Sequence, residues 1–414
     1  MSNSPPRVLA ILPGFIPSTI MCVVKPFLKL HQDGYIIAKI TLERLVSKGD
    51  LKWADLVVFC RNTEPKYAHI LNYLVTHHRP FIYELDDNFF ELPLDSEFGK
   101  YHRTPDRLAM LTKYMQSAGL VRVYSNPLLE KAKILNPRVE QVVGPIDLSL
   151  IEPPRPARDS NIIKLVYGTS RIQDELSALF APALARILKE YAGRIEAHFW
   201  GAMPPELKGC SGVFYHPVIR NYDRFLRRFS QAGFDIGLAP LPDDVFHRSK
   251  TNNKFREYGA CRIAGIYSEV EVYSDDVTNG ETGILVPNEA EAWYQAMVRL
   301  IENQDLREKI KNQARDYVSK HYSQENFEQI WWNQIKWVWA TRGAPSVSNS
   351  PIYEIQPNPA PSSGNNLTRI KRLWQNGFLT NLKMLQWRLF DLWMIVKLGF
   401  YFRSSTSARR GLNP

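Results

Sequence analysis

The feature that most constrains the fold is a repeated alternation of short apolar runs with helix-like stretches. In the first part of the chain the apolar runs are "RVLAILP", "ADLVVFC", "RPFIYELDD", "SAGLVRVYS" and "VEQVVGP". After a break the pattern begins again with "IIKLVYGTS", "IEAHFWG", "FDIGLAPL", "AGIYSEV" and "GETGILVP". Strands that alternate with helices are typical of βαβ units, in which the strands run parallel. The sequence therefore predicts an α/β protein with two doubly wound domains.

The break between the two repeats is rich in proline. Four prolines fall between Pro145 and Pro156, and we predict a linker near residues 147–161. A second segment, "RGAPSVSNSPIYEIQPNPAPSSGNN", has the Pro/Ser/Asn-rich composition of a flexible linker. The predicted organisation is a first domain over 1–148, a second over 149–322, a closing helix over 323–341, a linker over 342–366 and a basic tail over 367–414.

Cysteine usage and hydropathy indicate a protein of the reducing cytosol. The four cysteines are Cys22, Cys60, Cys210 and Cys261, and no two of them form a C-x-x-C pair. Neither a disulfide framework nor a zinc knuckle is predicted. The N-terminus lacks the pattern of a signal peptide, and no apolar window is long enough to span a membrane. We therefore predict a cytoplasmic location.

The positive charge of the chain is concentrated in the tail. Of the net charge of +10, the segment 367–414 carries +8, because it holds nine Lys and Arg residues and a single acid, Asp391. The remaining residues carry only +2. A nucleic-acid partner is therefore not predicted, since the rest of the chain is nearly neutral.

The tail has the pattern of an amphipathic helix. One apolar stripe contains Phe378, Leu382, Leu385, Leu389, Leu392 and Val396, which recur at spacings of four and three, with Trp393 on its edge. Lys383, Gln386 and Lys397 fall on another side of the helix. A basic helix that bears tryptophan is typical of segments lying on an anionic membrane surface, here over 367–403. The alternative is a helix that packs on the protein core or on a second copy.

Several well-known catalytic motifs are absent from the sequence. It contains no G-x-G-x-x-G after an opening strand, no P-loop, no G-x-S-x-G and no H-E-x-x-H. A dinucleotide-dependent dehydrogenase, a P-loop NTPase and the common hydrolases are therefore disfavoured. The sequence also lacks a D-x-D metal motif after a strand, and His77, His78 and His102 have no partner spacing, so we predict that these histidines are structural or lie on the surface.

The stretch "SKTNNKFREY" combines charges in an unusual way. On a helix, Lys250, Lys254 and Glu257 would share one face, and Ser249 or Thr251 would cap its start. Cations are unfavourable at a helix N-terminus unless an anion binds there, and a diphosphate suits two lysines and free backbone N–H groups. Glu257 would then accept hydrogen bonds from ribose hydroxyls. The alternative is a solvated charged face with an i,i+3 pair between Lys254 and Glu257.

The order of motifs around this stretch resembles a known family. The segment from "FDIGLAPL" through "SKTNNKFREYGACR" to "GETGILVP" resembles the donor-binding half of GT-B glycosyltransferases of the retaining, family-4-like kind over about sixty residues. Weaker resemblance extends over roughly residues 7–340. There, "FIYELDD" is similar to the acidic strand end of the family's N-terminal domain, and "IWWNQIKW" is similar to its closing helix.

The resemblance implies two Rossmann-like domains that face a cleft, with the acceptor on the first domain and a nucleotide-sugar donor on the second. It implies that Lys250 and Lys254 neutralise the donor diphosphate and that Glu257 binds the ribose. Glu257 occupies the second position of the family's E-x7-E pattern, but the first falls at Ser249, which leaves the identity of the sugar open. His247 stands where relatives often have Asn.

Further site residues follow from the same resemblance. The loop in "YGTSRIQDE" implies phosphate contacts by Gly168, Ser170 and Arg171, with an ordinary surface loop as the alternative. The implied donor set also includes Asn253, Arg248 and Gly14, although Gly14 is equally typical of an ordinary strand end. Asp86 and Asp87 follow a predicted strand and would face the cleft, where one would orient the acceptor or contact the sugar. The alternative for Asp87 is to cap the following turn.

The predicted function is the transfer of a sugar from a nucleotide-diphosphate sugar to an acceptor hydroxyl. Lys250, Lys254, Asp86 and Asp87 are the predicted catalytic residues, and no metal or other cofactor is required because the lysines neutralise the leaving group. Resemblance implies retention at the anomeric carbon. The basic tail indicates a membrane-surface acceptor such as a lipid-linked glycan or glycolipid. The alternatives are a two-domain nucleotide-sugar epimerase and a non-catalytic, membrane-associated scaffold.

Overall fold

Two parallel β-sheets organise the molecule. The computed structural model describes residues 4–154, 162–169, 176–219, 221–341, 388–399 and 401–402, and within them each sheet has six strands. The first sheet contains β1 (Arg7–Leu12), β2 (Ile37–Leu42), β3 (Leu56–Cys60), β4 (Phe81–Leu85), β5 (Leu120–Val123) and β6 (Val139–Gln141), in the order β2-β1-β3-β4-β5-β6. The second contains β7 (Ile163–Gly168), β8 (Ile195–Trp200), β9 (Val213–His216), β10 (Ile236–Ala239), β11 (Ala264–Ser268) and β12 (Ile284–Val286), in the order β12-β11-β10-β7-β8-β9. The two predicted doubly wound α/β domains are confirmed.

Helices connect the strands of each sheet. Those of the first domain are α1 (Pro17–Thr19), a π-helical turn (Ile20–Val24), α2 (Lys25–Gln32), α3 (Lys48–Trp53), α4 (Ala68–Thr76), α5 (Glu97–His102), α6 (Pro105–Ser117) and α7 (Asn126–Leu135). Those of the second are α8 (Ala181–Glu190), α9 (Tyr222–Gln231), α10 (Val245–Arg248), α11 (Asn253–Ala260), α12 (Glu271–Ser274), α13 (Ala290–Glu302) and α14 (Gln304–His321). They are followed by α15 (Gln324–Ala340) and by α16 over 388–399 and 401–402.

The first sheet is buried on both faces because its central strands carry apolar side chains on both sides. Every residue of β3 and β4 is buried. Along β1, alternate residues belong to opposite cores: Val8 shares one core with Phe27 and Trp331, whereas Leu9 shares the other with Leu71 and Met115. Glu84 of β4 is the exception to this apolar pattern, since it is a fully buried carboxylate.

The helix α15 leaves the second domain and packs on the first. The indole N–H of Trp331 donates to the carbonyl of Cys22 at 2.7 Å, and the rings of Trp331 and Phe27 meet edge to face with centroids 5.0 Å apart. Arg122 of β5 lies over the same indole, with its guanidinium carbon 3.5 Å from the ring centroid. These contacts attach the end of the second domain to the first sheet.

The tail helix α16 packs on the first domain. Phe390, Met394, Ile395 and Leu398 join the core that contains β1 and α2. The predicted linker 342–366 and the stripe residues Phe378, Leu382 and Leu385 lie outside the described residues. Among the helices that the structure describes, none is long and apolar enough to cross a bilayer.

Candidate functional site

The predicted site residues come from the carboxyl ends of strands in the two sheets. Asp86 and Asp87 directly follow β4, Gly14 follows β1, and Gly168 is the last residue of β7. The segment 249–257 lies between β10 and β11. In open parallel α/β sheets, ligands bind outside the carboxyl ends of the strands. Two such edges face each other here, with a cleft between the domains.

The segment with the two lysines is not one continuous helix. The short helix α10 ends at Arg248, with Ser249 as its C-cap, and α11 begins only at Asn253. Lys250 therefore lies in the loop between them, and the predicted helical face shared by Lys250, Lys254 and Glu257 is wrong. The expected caps Ser249 and Thr251 are wrong as well, because Asn252 occupies the N-cap position of α11.

Lys254 and Glu257 form the part of the pattern that is helical. The Lys254 ammonium lies 2.7 Å from a Glu257 carboxylate oxygen, and the hydroxyl of Tyr222 donates to the other oxygen at 3.2 Å. Glu257 is only 5% exposed, so this i,i+3 pair is not a solvated charged face. Gly168 lies beside it, since a Cβ at Gly168 would be 3.7 Å from the ammonium nitrogen. Lys254 therefore reaches the end of the second domain's first strand.

Lys250 reaches across the cleft to the first domain. Its ammonium nitrogen lies 2.7 Å from Oδ1 of Asp87. The other carboxylate oxygen of Asp87 accepts a hydrogen bond from Arg61. Burial alone would raise the pKa of Asp87, but the charges of Arg61 and Lys250 outweigh it and lower that pKa to about 2. Asp87 therefore bridges a cation of its own domain and a cation of the other. Its bonds to these side chains favour a role at the cleft over capping of the following turn.

Asp86 points to a different environment from its neighbour. It is paired with Arg61, whose Nε lies 2.9 Å from Asp86 Oδ1. Burial raises the pKa of Asp86, Arg61 opposes the shift, and the adjacent charge of Asp87 adds to it. Two neighbouring carboxyl groups with pKa values shifted in opposite directions are a common feature of functional sites.

Other contacts hold the two domains together beside these charges. Phe246 of α10 packs against the core of the first domain, and Lys250 lies 4.0 Å above its ring centroid. Ser249 is 1% exposed, and its hydroxyl accepts a hydrogen bond from the Asn88 amide at 3.1 Å. Ser249 thus makes a buried bond between the domains. A glutamate there, as in the E-x7-E pattern, would place a carboxylate in this buried contact.

Two cavities lie between the domains, and both are open to solvent. The first has an empty volume of about 480 Å³ and is lined by Pro17, Ser18, Met21, Cys22, Asp86, Tyr124, Gly144, Tyr222, Thr251, Asn253, Arg256 and Glu257. The second has about 470 Å³ and includes Arg248, Lys250, Asn252, Glu271 and Asp275 in its wall. Asp86 of the first domain and Glu257 of the second therefore both line the first cavity.

The remaining predicted residues are placed as follows. Asn253 lines the first cavity, and its side-chain oxygen accepts a hydrogen bond from Arg256. Arg248 lines the second cavity, but its guanidinium is held by Asp243 at 2.8 Å. Gly14 lies against the tail helix, where a Cβ would be 3.9 Å from Asp391 Oδ1. Ser170 and Arg171 are outside the described residues.

Sequence reasoning missed three side chains that shape the cleft. Arg61 follows β3 as Asp86 follows β4, so the rule of strand carboxyl ends would have found it. Arg256 lines the first cavity, and its guanidinium lies so close to Gly144 that a Cβ there would clash with Nη1. Tyr222 starts α9 and carries no signal in the sequence, because its role depends on the distant Glu257.

The comparisons with known proteins bear on the fold. A scan against family models finds no match, and neither does a search of curated proteins. Among solved structures, the chain is similar to Anabaena HepE in complex with UDP and glucose, with a TM-score of 0.57 and 12% identity over 79% of this chain and 99% of HepE. It is also similar to sucrose-phosphate synthase from Thermosynechococcus elongatus, with a TM-score of 0.58 and 13% identity over 81% of this chain and 100% of the synthase.

A third structure, a glycosyltransferase from Rickettsia africae, has a TM-score of 0.54 and 14% identity over 84% of this chain and 100% of that one. The matches span both sheets. They confirm the fold class: the chain has the two-domain GT-B architecture, with a helical tail in addition.

Proposed function

We propose that the protein is a glycosyltransferase that moves a sugar from a nucleoside-diphosphate sugar to a hydroxyl of a glycan or lipid-linked acceptor. One observation carries this proposal: Lys254, Glu257 and Gly168 converge at the carboxyl edge of the second sheet, and Glu257 shares the first cavity with Asp86 of the first domain. Lys250 adds a second cation at the same interface. The edge of the second sheet carries the lysines with Glu257, and the edge of the first carries Asp86 and Asp87 with Arg61. The lysines suit the diphosphate of a nucleotide sugar, and the carboxylates suit its ribose and sugar hydroxyls.

The chemistry that this arrangement favours is departure of a diphosphate. The bond between the anomeric carbon and the diphosphate oxygen breaks, and negative charge develops on that oxygen. Lys254, Lys250 and the N-terminal N–H groups of α11 can stabilise the developing charge. Glu257 would accept hydrogen bonds from the ribose hydroxyls. In this proposal no metal is required for the charge of the leaving group.

We further propose retention at the anomeric carbon. The acceptor oxygen forms its new bond on the face from which the diphosphate leaves, and its proton passes to the departing phosphate oxygen. Asp86, in the first cavity, would orient the acceptor hydroxyl or a sugar hydroxyl. Uridine nucleotides are the first donors to test, because two of the HepE structures contain UDP and one contains UDP-glucose.

Nucleotide binding provides the direct test. We expect nucleoside diphosphates and their sugars, with UDP and UDP-glucose first, to raise the melting temperature of the full chain by a few degrees, since a ligand of the folded state at 100 times its Kd adds about 2.7 kcal/mol to the unfolding free energy. Nucleoside monophosphates should give a smaller shift because they lack the second phosphate. Equal shifts for mono- and diphosphates, or none in a panel of all common bases, would contradict the proposal.

A second prediction concerns the ion pair between Lys250 and Asp87. Asp87→Asn should increase the affinity for the nucleoside diphosphate about fivefold, because the phosphate no longer competes with a carboxylate for Lys250, and a partly exposed pair is worth about 1 kcal/mol. Isothermal titration calorimetry measures the change. Asp55→Asn is the matched control, since Asp55 pairs with Arg7 at the opposite, amino edge of the first sheet. Unchanged affinity in Asp87→Asn would mean that the phosphate does not bind at Lys250.

A further inference from the structure

The tail helix α16 attaches to the first domain through a buried acid. One Asp391 oxygen accepts a hydrogen bond from the backbone N–H of Phe15 at 3.1 Å, and the other pairs with Arg44 at 3.0 Å. At the far end of the helix, the rings of Phe402 and His31 lie 4.9 Å apart. The helix therefore runs along residues 15–31 and has a defined orientation on the domain.

The opposite side of the same helix is apolar and exposed. At least half of each of four residues is accessible to solvent: Leu389, Leu392, Trp393 and Val396. Leu389, Leu392 and Val396 are the last members of the apolar stripe predicted from the sequence, and Trp393 lies on its edge. The helix packs on the core, as the alternative expected, but through residues outside that stripe. An apolar row of this kind marks an interaction surface.

The two charged residues that α16 exposes beside this apolar row are both positive. Arg388 and Lys397 are exposed on the same helix, and the Lys397 ammonium lies 5.0 Å from the Trp393 ring centroid. The segment 367–414 contains nine Lys and Arg residues but only one acid, and that acid, Asp391, faces the protein. The outward surface of the described part of the tail therefore has cations and apolar side chains without a carboxylate.

We propose that the exposed face of α16 docks on an anionic lipid bilayer surface. Apolar side chains would enter the boundary between headgroups and acyl chains, while Arg388 and Lys397 would contact acidic headgroups. Charge complementarity favours this occupant over a second copy of the chain, because two identical faces would bring like charges together around a two-fold axis. The surface is separate from the nucleotide site, so this proposal does not rest on the proposed function.

Docking through this face would bring the cleft close to the bilayer. Residues 15–31 contact α16 on one side, and within the same segment Pro17, Ser18, Met21 and Cys22 line the first cavity. A single segment thus separates the proposed lipid-binding face from the space in front of Asp86. An acceptor anchored in the bilayer would have its hydroxyl near this cavity.

Vesicle sedimentation tests the proposal with the full chain. The protein should sediment with vesicles of phosphatidylcholine containing one-third phosphatidylserine, and much less with pure phosphatidylcholine. Leu392→Glu should reduce the partition coefficient at least tenfold, because it places an acid in the centre of the face. Arg388→Gln and Lys397→Gln should each reduce it roughly fivefold, and added salt should do the same.

The matched control is Ile134→Glu, which introduces the same charge at a residue of α7 that is 84% exposed. It should bind vesicles almost as the unmodified protein does. Equal binding by Leu392→Glu and Ile134→Glu, or no binding of the unmodified protein to the acidic vesicles, would overturn the proposal. A dimer in sedimentation velocity that Leu392→Glu dissociates would also overturn it, in favour of a second copy. Unchanged melting temperatures of the variants would show that they are folded.

Discussion

Lys254→Met is expected to reduce the release of nucleoside diphosphate from the donor sugar by about 10²–10³-fold, as does the removal of a single preorganised donor from a site where charge develops. The ammonium is the cation on the first turn of α11, and it lies beside Gly168 at the end of β7. Methionine retains the length and apolar stem of lysine but lacks its charge. The loss should appear mainly in kcat, because the diphosphate carries more charge in the transition state than in the ground state.

Lys254→Met should lower the unfolding free energy by about 1–3 kcal/mol, because the Glu257 carboxylate is 5% exposed and keeps the hydrogen bond from Tyr222 but loses its cation. Turnover is therefore measured well below the melting temperature of the variant. Lys311→Met is the matched control, since Lys311 also forms an i,i+3 pair, with Glu308 at 2.9 Å, and binds Asp235 before β10, at the amino edge of the same sheet. Equal turnover in the two variants would exclude a catalytic role of Lys254.

The fold was predictable because its signal is local and repeated. Apart from the three-residue edge strands β6 and β12, the strands of the two sheets are runs of four to six residues, and apolar runs such as "LVVFC" and "FIYEL" are buried on both faces. The rule that ligands bind at the carboxyl ends of strands predicted that Asp86 and Asp87 face the cleft, and the family resemblance implied Gly168, in both cases without any knowledge of side-chain contacts.

The details of the site could not be predicted because they depend on contacts between the domains. Lys250 fits a helical spacing with Lys254, but the chain breaks between α10 and α11, and its ammonium binds Asp87 of the other domain. Similarly, Ser249 reads as a missing acid in the sequence, yet it is a buried partner of Asn88. Neither partner is within a hundred residues, so no local pattern contains the information.

The same limit explains why a buried charge pair under the site was missed. Glu84 and Arg122 lie on the neighbouring strands β4 and β5 with no exposure, and the closest approach of their charged groups is 3.8 Å. Arg122 also donates a hydrogen bond to Gln334 and lies over Trp331, both on α15. Burial raises the pKa of Glu84 to about 7, although Arg122 and Tyr124 oppose the shift. This pair joins the sheet that carries Asp86 to the helix that closes the molecule.

Arg122→Met should therefore lower the unfolding free energy at pH 8 by about 3–5 kcal/mol, because it leaves the Glu84 carboxylate buried without a cation. The pKa of Glu84 is near 4.5 in the unfolded chain and higher in the folded protein. The unfolding free energy therefore falls as the pH rises from the unfolded pKa to the folded pKa. Without Arg122 the pKa of Glu84 rises further, so the penalty at pH 8 grows. At pH 5.5 Glu84 is largely protonated in the folded state of both the unmodified protein and Arg122→Met. The difference between their unfolding free energies should therefore be smaller than at pH 8. Urea unfolding at pH 8 and at pH 5.5 measures the unfolding free energy of each protein.

The double variant Arg122→Met/Glu84→Gln separates the charge from the packing. Glutamine can still accept the hydrogen bond that Tyr124 donates to Glu84, and no charge is left between the strands. Replacing both members of a buried pair by neutral residues is often close to neutral for stability, whereas removing one member is costly. We therefore expect the double variant to recover most of the unfolding free energy that Arg122→Met loses at pH 8. At pH 5.5 its unfolding free energy should differ little from that of Arg122→Met. A loss that is equal at both pH values and persists in the double variant would assign the role of Arg122 to its packing on Trp331 alone.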